Sequence, residues 1–350
     1  MVLAVDDLNA AGKMPSRVDL LFEDTAGTPT AGISAAERLI ATGVSAIAGE
    51  FHSVVADAVV DVVERAAVPF VCASATLSDI TSRRLAHVFR IAPPQTYGWE
   101  MYAHYLLAAG FGQVVALGES NVYWSGGAGV IERALEGSAT RFSRIAIDGP
   151  DSAPRAAQVL AHTVAQSTLP TIALLLVGSP EPLRSVLASV RGHGLAPPTL
   201  EFGDPAGRTI FADWWEVAGG GASTMPFLAY VRPGGSSLEG RRFAQRFAAM
   251  YGRPPTFVAC EGYDSVLAVA RAIEMAGSDA SASVTEALRT LRFQGTRGEV
   301  AFSTSAEPVV HQQWRWPPTV VASYIGARSP EAPFTIMWDP ESGNAPRRQA

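Results

Sequence analysis

The chain has 350 residues, 48% hydrophobic and 17% charged, with a net charge of −6; this is globular composition with room for two domains, and it excludes disordered and fibrous classes. The negative balance comes without a basic cluster or aromatic residues interleaved with arginine, which excludes nucleic acid as a partner. No run reaches the roughly 20 apolar residues of a membrane span; the most apolar stretch, Thr171 to Gly178, is strand-length.

Val2 to Ala11 has apolar residues at helical spacing and stops at Gly12, which predicts a helix. Val18 to Phe22 reads as a strand, Glu23-Asp24-Thr25 as a polar turn, and Pro29 to Thr42 as a helix closed by Gly43. The pattern recurs: strand Val44 to Gly49, helix Val54 to Ala66, strand Pro69 to Cys72, an arginine-rich loop, and strand Val88 to Ile91. At Pro93-Pro94 the rhythm restarts with helix Tyr97 to Ala109, strand Gln113 to Gly118, helix Gly127 to Leu135 and strand Phe142 to Ile147. Helix Ala153 to Gln166, strand Thr171 to Val177, helix Pro182 to His193 and a strand near Thr199 to Gly203 complete that run. An extended segment, Met225 to Val231, precedes helices Arg241 to Tyr251, Tyr263 to Met275 and Val284 to Leu291, then strands Gly298 to Phe302 and Thr319 to Tyr324.

Alternation of this kind predicts an α/β fold with two doubly wound lobes, each a parallel sheet with helices on both faces. Residues 1–93 plus 229–320 form the expected first lobe, 94–228 plus 321–340 the second, and 341–350 a loose tail. Doubly wound sheets place their first strand in the interior. A chain that opens in a helix therefore lacks a first strand of lobe I, and residues 1–12, with no basic segment leading a long apolar run, contain no secretory leader. The expectation is a true start further upstream.

Enzyme signatures are absent: no G-x-S-x-G, H-E-x-x-H, P-loop or strand-linked G-x-G-x-x-G occurs, and Gly126, Gly127 and Gly129 lack the third glycine of a dinucleotide loop. The six histidines show no ligand spacing with cysteines or carboxylates, so neither a metal nor a cofactor is expected. Cys72 and Cys260 form no C-x-x-C pair, and whether they bond to each other is left open.

The strand ends carry more. Glu50-Phe51-His52-Ser53 follows one strand and leads a helix, placing Ser53 where an N-cap belongs. Ala73-Ser74-Ala75-Thr76 follows the next strand and precedes a short helical turn, Leu77 to Ile80. Two helix N-termini at one sheet edge, each with a hydroxyl, make a site for a carboxylate. The alternative is that Ser53 and Thr76 cap their own helices, and spacing does not separate the two.

The runs A-V-D-D-L-N-A-A-G at Ala4 to Gly12, V-S-A-I-A-G-E-F-H-S at Val44 to Ser53, V-E-R-A-A-V-P-F-V-C-A-S-A-T at Val63 to Thr76, V-F-R-I-A-P-P at Val88 to Pro94 and Y-D-S-V-L-A-V-A-R-A-I-E-M-A-G-S at Tyr263 to Ser278 resemble the periplasmic leucine/isoleucine/valine-binding proteins. The resemblance implies a type I solute-binding fold, two lobes joined by three crossovers with a ligand held between them. It implies that Ser53 and Thr76 grip an amino acid's polar end, and that Ser74, with Ala75 beside it, offers a backbone carbonyl. His52 and Tyr97 are further candidates. Tyr123 is similar to a second-lobe tyrosine that closes over the ligand, with a surface-loop aromatic as the alternative; Asp204 falls near an acidic residue that pairs with the ammonium, with a plain turn aspartate before Pro205 as the alternative. Gly178-Ser179, Glu50 and His52 depart from the family pattern, so side-chain selectivity differs. Tyr97, Trp99, Trp124 and Glu261 are candidate wall residues, each with an ordinary packing role as the alternative.

The expected function is an exported solute receptor, periplasmic or held at the outer membrane face, that delivers a small amino-acid-like or carboxylate ligand to an ABC transporter permease as a monomer. A ligand-sensing regulatory module for amides or small carboxylates is the second reading, and an α/β enzyme the third.

Overall fold

The computed structural model describes residues 1–12, 14, 16–120, 122–176, 180–195, 200–202, 225–230, 237–305, 310–314, 319–323 and 335–342. The chain divides into two compact units, Met1–Gln95 with Gly235–Pro318 and Thr96–Gly234 with Thr319–Ala350, so it passes from one to the other three times. The passages fall at residues 95/96, 234/235 and 318/319, where the sequence pattern suggested 93/94, 228/229 and 320/321. The second differs because β8 (Phe227–Ala229) pairs with β11 (Val320–Ser323) in the second unit's antiparallel sheet. The tail from residue 343 lies outside the described residues.

The first unit opens with α1 (Val2–Ala11), which ends at Gly12 in the left-handed region. It continues through α2 (Pro29–Ala41), β1 (Ile47–Gly49), α3 (Ser53–Ala66), β2 (Phe70–Cys72), α4 (Asp79–Ser82) and β3 (Val88–Arg90). β1, β2 and β3 pair in parallel, with Ile47 opposite Phe70 and Phe70 opposite Val88. After the second passage come α9 (Leu238–Tyr251), α10 (Phe257–Ala276), α11 (Ser281–Thr290) and the antiparallel hairpin β9 (Arg292–Gly295) with β10 (Gly298–Ala301).

One face of this sheet is covered by α2 and α3, the other by α10 and α11. α3 is a valine-rich helix, a composition of modest intrinsic propensity; it holds because Val55, Val59, Val60, Val62 and Val63 are buried, each contributing roughly 1.5–3 kcal/mol. α2 begins cleanly: Thr28 accepts the Ala31 N–H and Pro29 occupies the first turn. The two helices meet at Gly32, where a Cβ would lie 2.4 Å from Cγ1 of Val55.

Val18 to Phe22, expected as a strand, joins no sheet. Both backbone groups of Val18 are taken by the Asn9 side chain, at 2.8 Å to its N–H and 2.9 Å to its carbonyl. Strand-like composition forms no strand when the backbone groups are satisfied elsewhere.

The second unit holds α5 (Gln95–Ala108), β4 (Gln113–Glu119), α6 (Val122–Leu135), β5 (Arg141–Ile147), α7 (Ala153–Gln166), β6 (Thr171–Leu176), α8 (Pro180–Gly192) and β7 (Leu200–Phe202). Its parallel strands lie in the order β5-β4-β6-β7, with the order reversing at β4 in the doubly wound manner. A second, antiparallel sheet joins β8, β11 and β12 (Thr335–Trp338). A parallel sheet was the expectation for this lobe; the antiparallel strands β8 and β11 lie next to the second and third passages between the units, where the chain leaves and re-enters this one.

The first unit buries a charge cluster between α10 and the β9–β10 turn. Asp264 accepts the Thr296 N–H and hydroxyl, both at 2.7 Å, and Arg297 donates to Glu261 at 3.2 Å with its guanidinium 4.9 Å from the centre of the Trp314 ring. Burial pushes Glu261 up to about 7 and Asp264 up to about 6, with Arg297 pulling both down and Ser74 pulling Glu261 down. Among the described residues, no helix is long and apolar enough to cross a membrane.

Two predictions follow from this packing. Gly32→Ala lowers stability by about 1–3 kcal/mol despite alanine's better helix propensity, because overpacking against Val55 outweighs it; the urea midpoint falls, and Val55→Ala in the same chain restores part of the loss. Because Glu261 and Asp264 bind protons more tightly folded than unfolded, their contribution to stability is fullest at low pH and is lost as pH rises through about 6 to 7. Glu261→Gln flattens the fall between pH 5 and 8 in denaturant titrations; an unchanged slope contradicts the assignment.

Candidate functional site

The two turns after β1 and β2 lie side by side at the carboxyl edge of the sheet, and the sheet's pairing continues past the strand ends into them. Five consecutive amides of the second turn bond to the first. Ala73 donates to the Gly49 carbonyl at 2.7 Å, and Ser74 and Ala75 to the Glu50 carbonyl at 3.2 and 3.1 Å. Thr76 and Leu77 both donate to Oγ of Ser53, at 3.3 Å each.

This changes the expected roles of both hydroxyl residues. Ser53 is the first residue of α3, with His52 at the N-cap and no side-chain cap bond, so Ser53 does not cap its own helix. A serine hydroxyl has two acceptor lone pairs and one donor; with two amides on its oxygen, the O–H remains available as a donor. Thr76 stands ahead of α4, whose N-cap is Ser78, so it does not cap a helix either. Nor does a four-residue α4 provide the second converging helix N-terminus that spacing suggested. The helix that does point its N-terminus here is α3, 14 residues long, whose leading amides lack carbonyls four residues back.

Glu50 is the unexpected occupant. Its Oε1 accepts the N–H groups of Phe51 at 2.8 Å and His52 at 3.0 Å, and the His52 ring stands 3.7 Å away. The carboxylate covers the lead-in to α3, leaving the amides of Ser53 and Val54 as the exposed start of the helix. His52 itself is exposed, and its imidazole packs on Gly27, where a Cβ would meet the ring at 3.3 Å.

Ser74 and Ala75 are buried, Thr76 and Ser53 half-buried. Ser74 faces inward, its hydroxyl beside Glu261, and Glu261, 1% exposed, belongs to the buried cluster. Behind the turns is a cavity of about 330 Å³ lined by Leu3, Glu50, Phe51, Ser74, Phe247 and Tyr251, among others. Phe243, Phe247 and Tyr251 recur every fourth residue and stack along α9. That spacing was the available signal for a wall the sequence reading missed.

Of the candidates elsewhere, Tyr97 lies half-buried in the first turn of α5 and Tyr123 lies in α6, both in the second unit. Tyr123 thus sits in a helix that begins at Val122, five residues earlier than expected. Trp99 and Trp124 are core: their rings meet at 6.1 Å, and a Cβ at Gly127 would lie 2.5 Å from Trp99. Asp204 and Gly178-Ser179 lie outside the described residues. Cys72 and Cys260 are unpaired, buried thiols, each pushed up to about 12 by burial. Among the described residues no group of three or more His, Cys, Asp or Glu converges as a metal site would require.

A 105-residue stretch is 36% identical to Leu/Ile/Val-binding protein homolog 3 of Brucella melitensis and 35% identical to the Leu/Ile/Val-binding protein BraC3 of Rhizobium johnstonii, in each case 30% of this chain. The matched stretch spans only 28% and 29% of those relatives' own lengths. The fold is similar to that of a leucine-binding protein, LivK, from Thermotoga maritima, with a TM-score of 0.78 at 20% identity over 98% of this chain and 94% of that one. A solute-binding protein from R. palustris, solved with benzoate, gives 0.77 at 17% identity over 99% and 91%. The periplasmic binding protein family matches residues 1–315, nearly the whole of the sequence from α1 through the strand-adding segment at Trp314, and the chain therefore belongs to that family.

Proposed function

We propose that this chain is the solute-binding receptor of an ABC transporter, capturing a small carboxylate-bearing ligand at the turns that follow β1 and β2. The observation that carries the reading is the state of Ser53. Two backbone amides occupy its oxygen, so its hydroxyl proton is aimed by default at an outside acceptor, beside the N-terminus of a 14-residue helix. A carboxylate is the group that satisfies both, since it accepts hydrogen bonds and carries the charge the helix end favours. The Thr76 hydroxyl adds a second donor from the adjoining turn.

Membership of the family, and relatives named for leucine, isoleucine and valine, support an amino-acid-like ligand. The relative solved with benzoate supports widening the class to aromatic acids, and the apolar cavity bounded by Phe51, Phe247 and Tyr251 adds to that. Transport in this class requires no bond-making by the receptor: ligand binding favours one conformation, and that conformation engages the permease. Tyr97, Tyr123 and Asp204 are the further ligand contacts we assign to the second unit, with export to the periplasm as the setting.

The grip is tested by thermal shift with L-leucine, L-isoleucine and benzoate as probes. At least one raises the melting temperature of the wild type with the logarithm of its concentration. Thr76→Val keeps the shape, leaves the melting temperature of the free protein within about 1 °C, and weakens binding roughly tenfold, as loss of one hydrogen bond to a charged group does. Ser53→Ala also strands two amides and costs about 1–3 kcal/mol of stability. Retention of the full ligand-induced shift in the double variant would place the site elsewhere.

A further inference from the structure

Arg90, at the carboxyl end of β3, is fully buried, 0% exposed. Its donors all go to neutral acceptors: Nε to Oε1 of Gln313, Nη1 to the carbonyl of Leu77, and Nη2 to Oγ1 of Thr81 at 3.0 Å. The carboxylates in this part of the unit are engaged elsewhere. Glu261 pairs with Arg297, Glu50 with the amides of its own turn, and Asp79 with Ser82 on the exposed side of α4. The Cys72 thiol beside Arg90 is held protonated by burial and supplies no charge. Although burial lowers its pKa to about 10, Arg90 carries a full charge at neutral pH, inside the protein, and among the described residues no anion is in contact with it. An interior cation of this kind is costly unless something balances it.

The same guanidinium is bonded into the turn that holds Thr76. Leu77 is gripped from two sides, its carbonyl by Arg90 and its amide by Oγ of Ser53. The Thr76 carbonyl is fixed by the Gln95 amide at 2.6 Å. Arg90 is in turn held in place by residues 312–314, which add to β3 through the Arg90 amide to the Gln312 carbonyl at 3.0 Å and the Trp314 amide to the Arg90 carbonyl at 2.8 Å. The Gln313 side chain completes the clamp by donating to the Ala92 carbonyl at 2.6 Å while its oxygen faces Arg90.

We propose that Arg90 is a positioning residue for ligand capture: it sets Leu77, and through it the outward hydroxyl of Ser53, and its unbalanced charge selects a ligand bearing a carboxylate over a neutral analogue. The proposal deepens the reading of Ser53 and Thr76 as the grip and rests on it. It assigns the preference for an acid to a residue that does not touch the ligand, and it explains why a site already screened by Glu50 still favours an anion.

The test uses the full chain with L-leucine and benzoate as acid probes and benzamide as the neutral counterpart of benzoate, measured by titration calorimetry. Arg90→Gln weakens both acids by roughly 10- to 100-fold, the range expected for losing one opposite charge at short distance in a protein-like dielectric, while benzamide changes less than about threefold. Arg90→Lys keeps the charge and so keeps the preference of acid over amide, even where affinity drops. Hydrogen exchange gives a readout independent of ligand: in both variants the Leu77 amide exchanges at least tenfold faster, while the amides of β1 to β3 keep their protection. Equal weakening of benzoate and benzamide in both variants reduces Arg90 to a packing role and overturns the proposal, as does an acid preference that survives Arg90→Gln. Should Arg90→Gln not fold, loss of the acid preference in Arg90→Lys also overturns it. Binding that needs Ser53 and Thr76 but not Arg90 overturns this proposal alone, whereas a wild type that binds none of the acids overturns the grip with it.

Discussion

The candidate site depends on the run of five amides, Ala73 to Leu77, that closes the second turn against the first. A parallel sheet ends with unpaired backbone groups on every strand, and those groups must find partners or face water. Here the first turn supplies them, first from the carbonyls of Gly49 and Glu50 and then, once the backbones diverge, from the hydroxyl of Ser53. The result is a rigid lip whose polar capacity is nearly spent internally. What it leaves available is small and defined: the half-buried hydroxyls of Ser53 and Thr76 and the leading amides of α3. Pre-organisation of this type lowers the ordering cost of binding.

Electrostatics at the lip are divided between surface and interior. Glu50 adds negative charge at the mouth while Arg90 holds positive charge beneath, and neither is in contact with a counter-ion fixed by salt-bridge geometry apart from the His52 ring near Glu50. Further in, the Glu261, Arg297 and Asp264 cluster is self-contained, with Ser74 as its one link to the lip. Among the described residues, Arg90 has no carboxylate in hydrogen-bond contact, whereas the buried Arg297 has Glu261.

Much of the architecture was legible because helices and buried strands announce themselves by period. α7 was read to the residue, and α1 likewise, since each has an apolar stripe and a clear stop. The failures have physical causes. Val18 to Phe22 has strand composition, but a side chain from α1 takes both backbone groups of its first residue, Val18. The β9–β10 hairpin was overlooked because its two-residue turn, Thr296-Arg297, lacks the Asn-Gly or Asp-Gly pair that signals a hairpin in sequence. At the site, Ser53 and Thr76 were identified by where strands end, yet their bonding was not legible: an oxygen serving amides 23 and 24 residues away leaves no trace in local sequence. Arg90 and Gln313 meet across 223 residues, and the arginine read as an ordinary strand end.

The two thiols carry a different consequence. Cys72 and Cys260 are buried in the first unit, and their burial suppresses the thiolate, the form that reacts. In an oxidising compartment this protects a receptor with unpaired cysteines from scrambling. It also makes both residues internal clocks: an alkylating reagent can reach Cys72 only when the lip and α3 come away from the sheet. The rate of modification therefore counts how often the first unit opens, without any engineered label.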